Sequence, residues 1–312
     1  MKYRKLGRTG LDVSVLALGG SSLGSAFREV EEAEGIRTVH VAIDAGVNLI
    51  DTAPFYGLTK AETVLGKALR EIPREKYLLA TKVGRYGYKE QDFDFSAARV
   101  TRSVDESLAR LCVDYVDFIQ VHDMEFGNIQ QIINETIPAL RKAQAAGKAR
   151  YAGITCLPVK LYREVMDHVE VDQVQSYCHY CLNDTALADE LPYLRERGVA
   201  IFNSAPLAMR LLSDDGPPQW HPAPEQVRAK CAEAAAFCRE RNGSLSKLAL
   251  QYSAANPHIP TNIVGTASPK RILQNIREIE EPLDEELLAG VLAILKPIHN
   301  ITWPSGRAEN NQ

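Results

Sequence analysis

The chain has 312 residues, 45% of them hydrophobic and 24% charged, which excludes a disordered chain and leaves ample apolar surface for a core. With 36 Lys and Arg against 40 Asp and Glu, the formal charge of -4 supplies no basic field for nucleic acid or an anionic membrane surface, so neither is an expected partner. No apolar run reaches membrane-spanning length and none follows the basic start in the manner of a secretory leader, so a cytoplasmic protein is the expectation.

In chain order, a hairpin over 3–15 leads into eight apolar runs, at 15–18, 48–51, 77–82, 115–122, 149–155, 172–176, 200–204 and 262–265, each ending near polar residues or glycine. Buried parallel strands read this way. Between and after them lie helical patterns at 32–45, 60–71, 96–110, 128–146, 159–169, 186–197, 225–241 and 269–278. Eight such alternations, crossing over in one hand, close most economically into a barrel. An open doubly wound sheet is the weaker alternative, because Gly19-Gly20-Ser21-Ser22-Leu23-Gly24 lacks the dinucleotide spacing.

The expected fold is one α/β domain over 1–312, a (β/α)8 TIM barrel with an N-terminal β-hairpin and a C-terminal tail over the barrel mouth. Gly216-Pro217-Pro218-Gln219-Trp220-His221-Pro222 is too proline-rich for regular structure and reads as a loop over that mouth. The tail from Thr302 is expected to reach the same place, with its last few residues mobile. The six cysteines are expected to be reduced, Cys231 and Cys238 as packing groups on one helix face. Cys178 and Cys181 enclose His179 in a C-x-x-C without a second ligand pair, so no metal site is expected.

In such a barrel the strand ends face one common site. Asp51 ends the second strand, Tyr56 follows in its loop, Lys82 ends the third strand and His122 the fourth. Each alone is as readily a cap, a packing ring or a core residue; at successive strand ends they make a constellation. A lysine within an apolar strand needs a partner, and Asp51 is next to it. The ammonium would favour the Tyr56 phenolate and bring that phenol within reach of proton transfer near neutral pH. His122 can hydrogen-bond and orient the reacting oxygen.

The strings Asp51-Thr52-Ala53-Pro54-Phe55-Tyr56-Gly57, Ala80-Thr81-Lys82 and Gln120-Val121-His122 resemble the catalytic segments of the aldo-keto reductases. Phe95-Ser96-Ala97, Ser176-Tyr177-Cys178-His179-Tyr180 and Thr302-Trp303-Pro304-Ser305-Gly306 extend the likeness toward the sugar dehydrogenases of that family. The resemblance implies Tyr56 as general acid/base, Lys82 as the modulator of its pKa, Asp51 as the partner of Lys82, and His122 as the group that orients the substrate oxygen.

It also implies a nicotinamide cofactor, held by Gly20, Thr155, Cys156, Gln175, Ser204, Pro206, Leu207, Gly265, Thr266, Ser268, Arg271, Gln274 and Asn275. Thr155-Cys156 stands where the family has Ser-Asn, and Ser204 where an aromatic usually stacks on the nicotinamide. Gly265 stands where NADPH-preferring members carry lysine, which favours NAD, although Lys270 and Arg271 remain available to the 2′-phosphate of NADP. Tyr177, His179, Trp220, His221 and Trp303 are the expected substrate contacts, their rings and polar edges suiting a sugar. The implied reaction is oxidation of an aldose at C1 to its lactone, with L-galactose favoured over L-fucose and D-arabinose, by a monomer or weak homodimer. The alternatives are an NADPH-dependent aldehyde or ketone reductase and a non-catalytic nicotinamide-binding redox sensor.

Overall fold

The structure, a computed structural model, describes residues 1–26 and 28–311. Strands β1 (Tyr3–Lys5) and β2 (Asp12–Ser14) pair antiparallel as the expected hairpin. The eight barrel strands are β3 (Leu16–Gly19), β4 (Leu49–Asp51), β5 (Leu78–Val83), β6 (Val116–Val121), β7 (Ala149–Cys156), β8 (Gln173–Tyr177), β9 (Ala200–Ser204) and β10 (Thr261–Gly265). All neighbours run parallel, and β10 closes the ring onto β3.

Side chains alternate across each strand, so every second residue enters the barrel. The lowest interior layer is apolar: Ala17, Leu49, Ala80, Phe118, Ala200, Phe202 and Ile263 form one buried cluster, plugged from the hairpin by Leu6 and Val13. Two residues further along the same strand faces the interior turns polar, with Asp51, Lys82, Gln120 and Gln175 joined by hydrogen bonds. Gly153 sits on the inner face of β7 because a Cβ there would lie 1.9 Å from Gln173 Oε1. The sequence thus builds a solid floor beneath a polar mouth at the C-terminal ends of the strands.

The outer helices include α1 (Glu32–Asp44), α2 (Lys60–Leu69) and α3 (Ala97–Leu111). The next expected helix is three segments: α4 (Ile129–Gln131), a π-turn at Ile132–Thr136 and α5 (Ile137–Ala145). Pro138, near the start of α5, has no N–H to give to the preceding turn, which accounts for the altered register. Then follow α6 (Leu161–Met166), α7 (Ala186–Glu196), α8 (Glu225–Glu240), α9 (Leu245–Ala255), α10 (Pro269–Glu278) and α11 (Glu285–Leu295).

Two of these were not expected. Helix α9 follows β9 and packs beside α10 and β10, so it, rather than α8, completes the seventh βα unit. Its start is fixed by Ser244, which accepts from Lys247 N at 3.2 Å. Helix α11 is capped by Asp284 and packs on α8. Between them lies a second apolar cluster holding Leu211, Val227, Leu245, Val291 and Trp303 together with Cys178, Cys181, Cys231 and Cys238. All six cysteines are free thiols. No helix among the described residues is long and apolar enough to cross a membrane.

Candidate active site

The strand ends bring Asp51, Tyr56, Lys82 and His122 together. Lys82 Nζ donates to Asp51 Oδ2 at 2.6 Å and to Thr52 O at 2.8 Å, with both charged side chains buried. Gln120, inward-facing one step below His122, donates to the other carboxylate oxygen at 3.0 Å. Burial pulls the Lys82 pKa down, but Asp51 and Tyr56 outweigh it, so the ammonium is held charged.

Its Nζ lies 5.0 Å from the centre of the Tyr56 ring. Tyr56 is placed there by a close backbone crossing: a Cβ on Gly24 would lie 2.6 Å from Tyr56 O, and one on Gly57, where φ is +62°, would lie 2.3 Å from Gly24 O. Burial pushes the Tyr56 phenol above its ordinary value of 10.0; Lys82 pulls it down, Asp51 and Asp123 push it up, and the net shift is upward. The expected lowering toward neutrality is therefore corrected. Lys82 opposes a larger desolvation effect, so the phenol keeps its proton near neutral pH.

His122 packs edge-on against Tyr56, ring centres 5.6 Å apart, and against Phe55 at 5.9 Å. Burial lowers its pKa to about 3, with Lys82 and Arg85 adding to the effect and Asp123 opposing it. It is a neutral imidazole near pH 7, and its buried Nδ1 has no protein partner.

Among the residues expected to hold a cofactor, Ser204 Oγ and Gln175 Oε1 are buried polar atoms without a protein partner at the barrel mouth, which suits a carboxamide group. Gln175 Nε2 meanwhile lies 3.5 Å from Asp51 Oδ2. Thr155 Oγ1 accepts from Asp123 N at 2.9 Å. Cys156, next along β7, faces outward: its thiol packs in the core and donates to Pro158 O at 3.3 Å, so it does not reach the mouth.

Pro206 and Leu207 begin a loop in which Ala205, Ala208, Met209 and Arg210 all have positive φ. Leu207, Met209 and Arg210 give no N–H to the loop's internal turns, which suits an anion. Across the mouth, Gly20 approaches Thr52 so closely that a Cβ would lie 2.9 Å from Thr52 Oγ1. Gly265 abuts the turn after β3, where its Cβ would lie 2.9 Å from Ser21 Oγ. Thr266 and Ser268 cap the entry to α10, Ser268 accepting from Arg271 N at 3.4 Å, and Arg271 is exposed. Gln274 donates to Glu278 at 2.7 Å and Asn275 is buried.

The expected substrate contacts fare less well. His221 is buried with both ring nitrogens used, Nε2 on Ala208 O at 2.9 Å and Nδ1 accepting from Ala223 N at 3.1 Å. It braces the loop and packs edge-on against Trp303. Trp303 itself is buried in the second apolar cluster. His179 is buried 3.0 Å from Asp184. Tyr177 donates its hydroxyl to Glu125 at 3.1 Å. Trp220 is 58% exposed and stacks beside His221.

Three residues not foreseen complete the site. Arg85 pairs with Asp123 at 2.5 Å and lies 3.6 Å over the Phe55 ring. Glu125 is fully buried and binds the C-terminal tail: Oε1 accepts from Ser305 Oγ at 2.8 Å, while its backbone carbonyl accepts from Arg307 N and Asn310 Nδ2. Rather than fraying, Ala308–Asn311 form a turn that buries Asn310.

Burial, reinforced by the charge on Asp123, raises the Glu125 pKa from 4.5 to about 8. The folded state thus holds this proton more tightly than the unfolded chain, and the stability linked to it is lost as pH rises through about 8. Melting temperatures of wild type and Glu125→Gln should diverge as pH rises from about 4.5 to about 8, Tm falling more steeply in wild type, with no further divergence above. Parallel curves would show that this carboxyl carries no such linkage.

The family model described as "Aldo/keto reductase family" matches residues 15–296. The chain is 46% identical to L-galactose dehydrogenase of Arabidopsis thaliana over 99% of both chains. It is 32% identical to D-arabinose 1-dehydrogenase of Saccharomyces cerevisiae, covering 77% of this chain and 75% of that one. An aldo-keto reductase from Bacillus halodurans, solved in its holo form, superposes with a TM-score of 0.79 at 28% identity, over 100% of both chains. On the family match and the full-length likeness together, the chain belongs to the aldo-keto reductase family.

Proposed function

We propose that the protein oxidises an aldose at C1 to its lactone, with L-galactose the favoured substrate and NAD the favoured cofactor. The observation that carries this reading is the convergence of Tyr56, Lys82, Asp51 and His122 at one barrel mouth in a chain 46% identical to an L-galactose dehydrogenase along nearly its whole length. The oxidised nicotinamide supplies the hydride acceptor when bound.

His122, neutral, donates a hydrogen bond to the anomeric oxygen and aligns it. Tyr56 takes the anomeric hydroxyl proton as the C1–H bond breaks, the hydride leaving with its electron pair and C1 becoming the lactone carbonyl. Tyr56 acts here as the phenolate, having first released its own proton to solvent; Lys82 stabilises that phenolate, and Asp51 keeps Lys82 in position. NAD is preferred over NADP because Gly265 brings no cation to the 2′-phosphate and lies too close to Ser21 for a side chain to fit without displacement.

One observation favours the reverse reading. The upward net shift on Tyr56 keeps it protonated near neutral pH, the form in which carbonyl reduction needs it. The two are separated by oxidising L-galactose that carries deuterium at C1. On the proposed reading, deuterium appears on the reduced nicotinamide and the lactone accumulates. No label transfer, together with reduction of simple aldehydes by NADPH, would replace it with a carbonyl reductase.

A further inference from the structure

Arg85 and Asp123 lie outside the catalytic constellation yet are held with unusual care. Arg85 is fixed by its ion pair to Asp123 at 2.5 Å and by the ring of Phe55, with Phe93 and Phe126 at 5.2 and 5.6 Å. It thereby ties together the loops after β4, β5 and β6, which are the loops next to Tyr56, Lys82 and His122. Asp123 has a left-handed backbone, φ +50°, and its N–H is held by Thr155 Oγ1. Aspartate is among the few residues other than glycine that visit that region readily, and the Thr155 contact helps to hold it there.

The outcome is that Asp123 Oδ2, the oxygen that also accepts from Arg85, lies 3.8 Å from His122 Nε2 with a lone pair left over. That spacing is too long for a hydrogen bond between the two groups. It matches two ligand oxygens on adjacent carbons, one on the imidazole and one on the carboxylate. Asp123 is an ionised acceptor: burial raises its pKa, while the Arg85 guanidinium bound to it, with Lys82 adding, holds it below the usual carboxylate value.

We propose that Asp123, positioned by Arg85, binds the hydroxyl on C2 of the aldose while His122 holds the oxygen on C1, so that a free 2-hydroxyl is a specificity requirement. The proposal rests on the reading of C1 oxidation given above and adds to it the residue that recognises the neighbouring carbon. A hydroxyl donating to a buried carboxylate is a charge-assisted hydrogen bond, and a substrate lacking it forfeits that bond and leaves the remaining lone pair of the Arg85-bound oxygen unused. Sites built in this way reject the deoxy analogue strongly.

The test compares kcat/KM for L-galactose and 2-deoxy-L-galactose in wild type, Asp123→Gly and Asp123→Asn. Glycine and asparagine both tolerate the left-handed backbone. Loss of fold or of His122 alignment lowers both rates together and cancels in their ratio. Wild type should favour L-galactose by at least about tenfold, and Asp123→Gly should lower that preference by about tenfold or more, with Asp123→Asn between the two. A wild-type ratio near one, or an unchanged ratio in Asp123→Gly, would overturn the role of Asp123 while leaving C1 oxidation standing. Absence of turnover on either sugar in wild type would instead sink the underlying reading.

Discussion

Replacing Tyr56 by phenylalanine should lower kcat for aldose oxidation by about two to four orders of magnitude, the usual range for losing a positioned acid/base group. The ring packs edge-on against His122 and beneath it lies the Lys82 ammonium, so phenylalanine keeps the shape and removes only the proton carrier. NAD binding, followed by quenching of protein fluorescence, should be nearly unchanged. The wild-type oxidation rate should climb with pH, because burial holds the Tyr56 phenol above 10.0 and the oxidative step needs it to accept a proton. Retained turnover in Tyr56→Phe would assign the proton to another group.

The second large effect is expected from Lys82→Met, which acts on stability and on chemistry at once. Asp51 would remain buried with, among the described residues, the Gln120 and Gln175 amides to solvate it. An orphaned buried charge of this kind costs about 3–5 kcal/mol, which denaturant titration would read as a lower midpoint at unchanged slope. Adding Asp51→Asn should restore much of that stability, because no uncompensated charge is left behind. Activity should stay low in both, since Tyr56 loses the one cation that counters its desolvation. The residual pH profile of Lys82→Met should shift further alkaline. A double variant no more stable than the single one would mean that Asp51 does not depend on Lys82 for its charge balance.

Much of this arrangement is legible in the sequence because a barrel translates strand position into spatial position. Asp51, Lys82 and His122 end consecutive strands, and period-two alternation alone puts them at one mouth. Gln120 was open to the same reading, two residues before His122 on the same face. Arg85, Asp123 and Glu125 were not, because their partners come from loops and from the tail, whose paths no periodicity records.

The surroundings of His221 and Trp303 were illegible for a related reason. Aromatic residues in a proline-rich loop and a tail suggest a sugar platform, but α8 and α11 form a second apolar cluster that claims Trp303, and backbone groups claim both nitrogens of His221. Helix α11 escaped notice because Leu287 to Leu295 is almost uniformly apolar and shows no amphipathic period. The chemistry of Tyr56 is a further case. A nearby ammonium is visible in sequence, whereas the larger effect of desolvation depends on how deeply the phenol is buried.

The most direct test of the central claim is the initial rate of NADH and NADPH formation by the wild-type protein across a panel of L-galactose, L-fucose and D-arabinose. Oxidation of L-galactose with NAD, faster than with NADP, is the expected result. No oxidation of any of the three sugars with either cofactor, alongside NADPH-driven reduction of simple aldehydes, would contradict it.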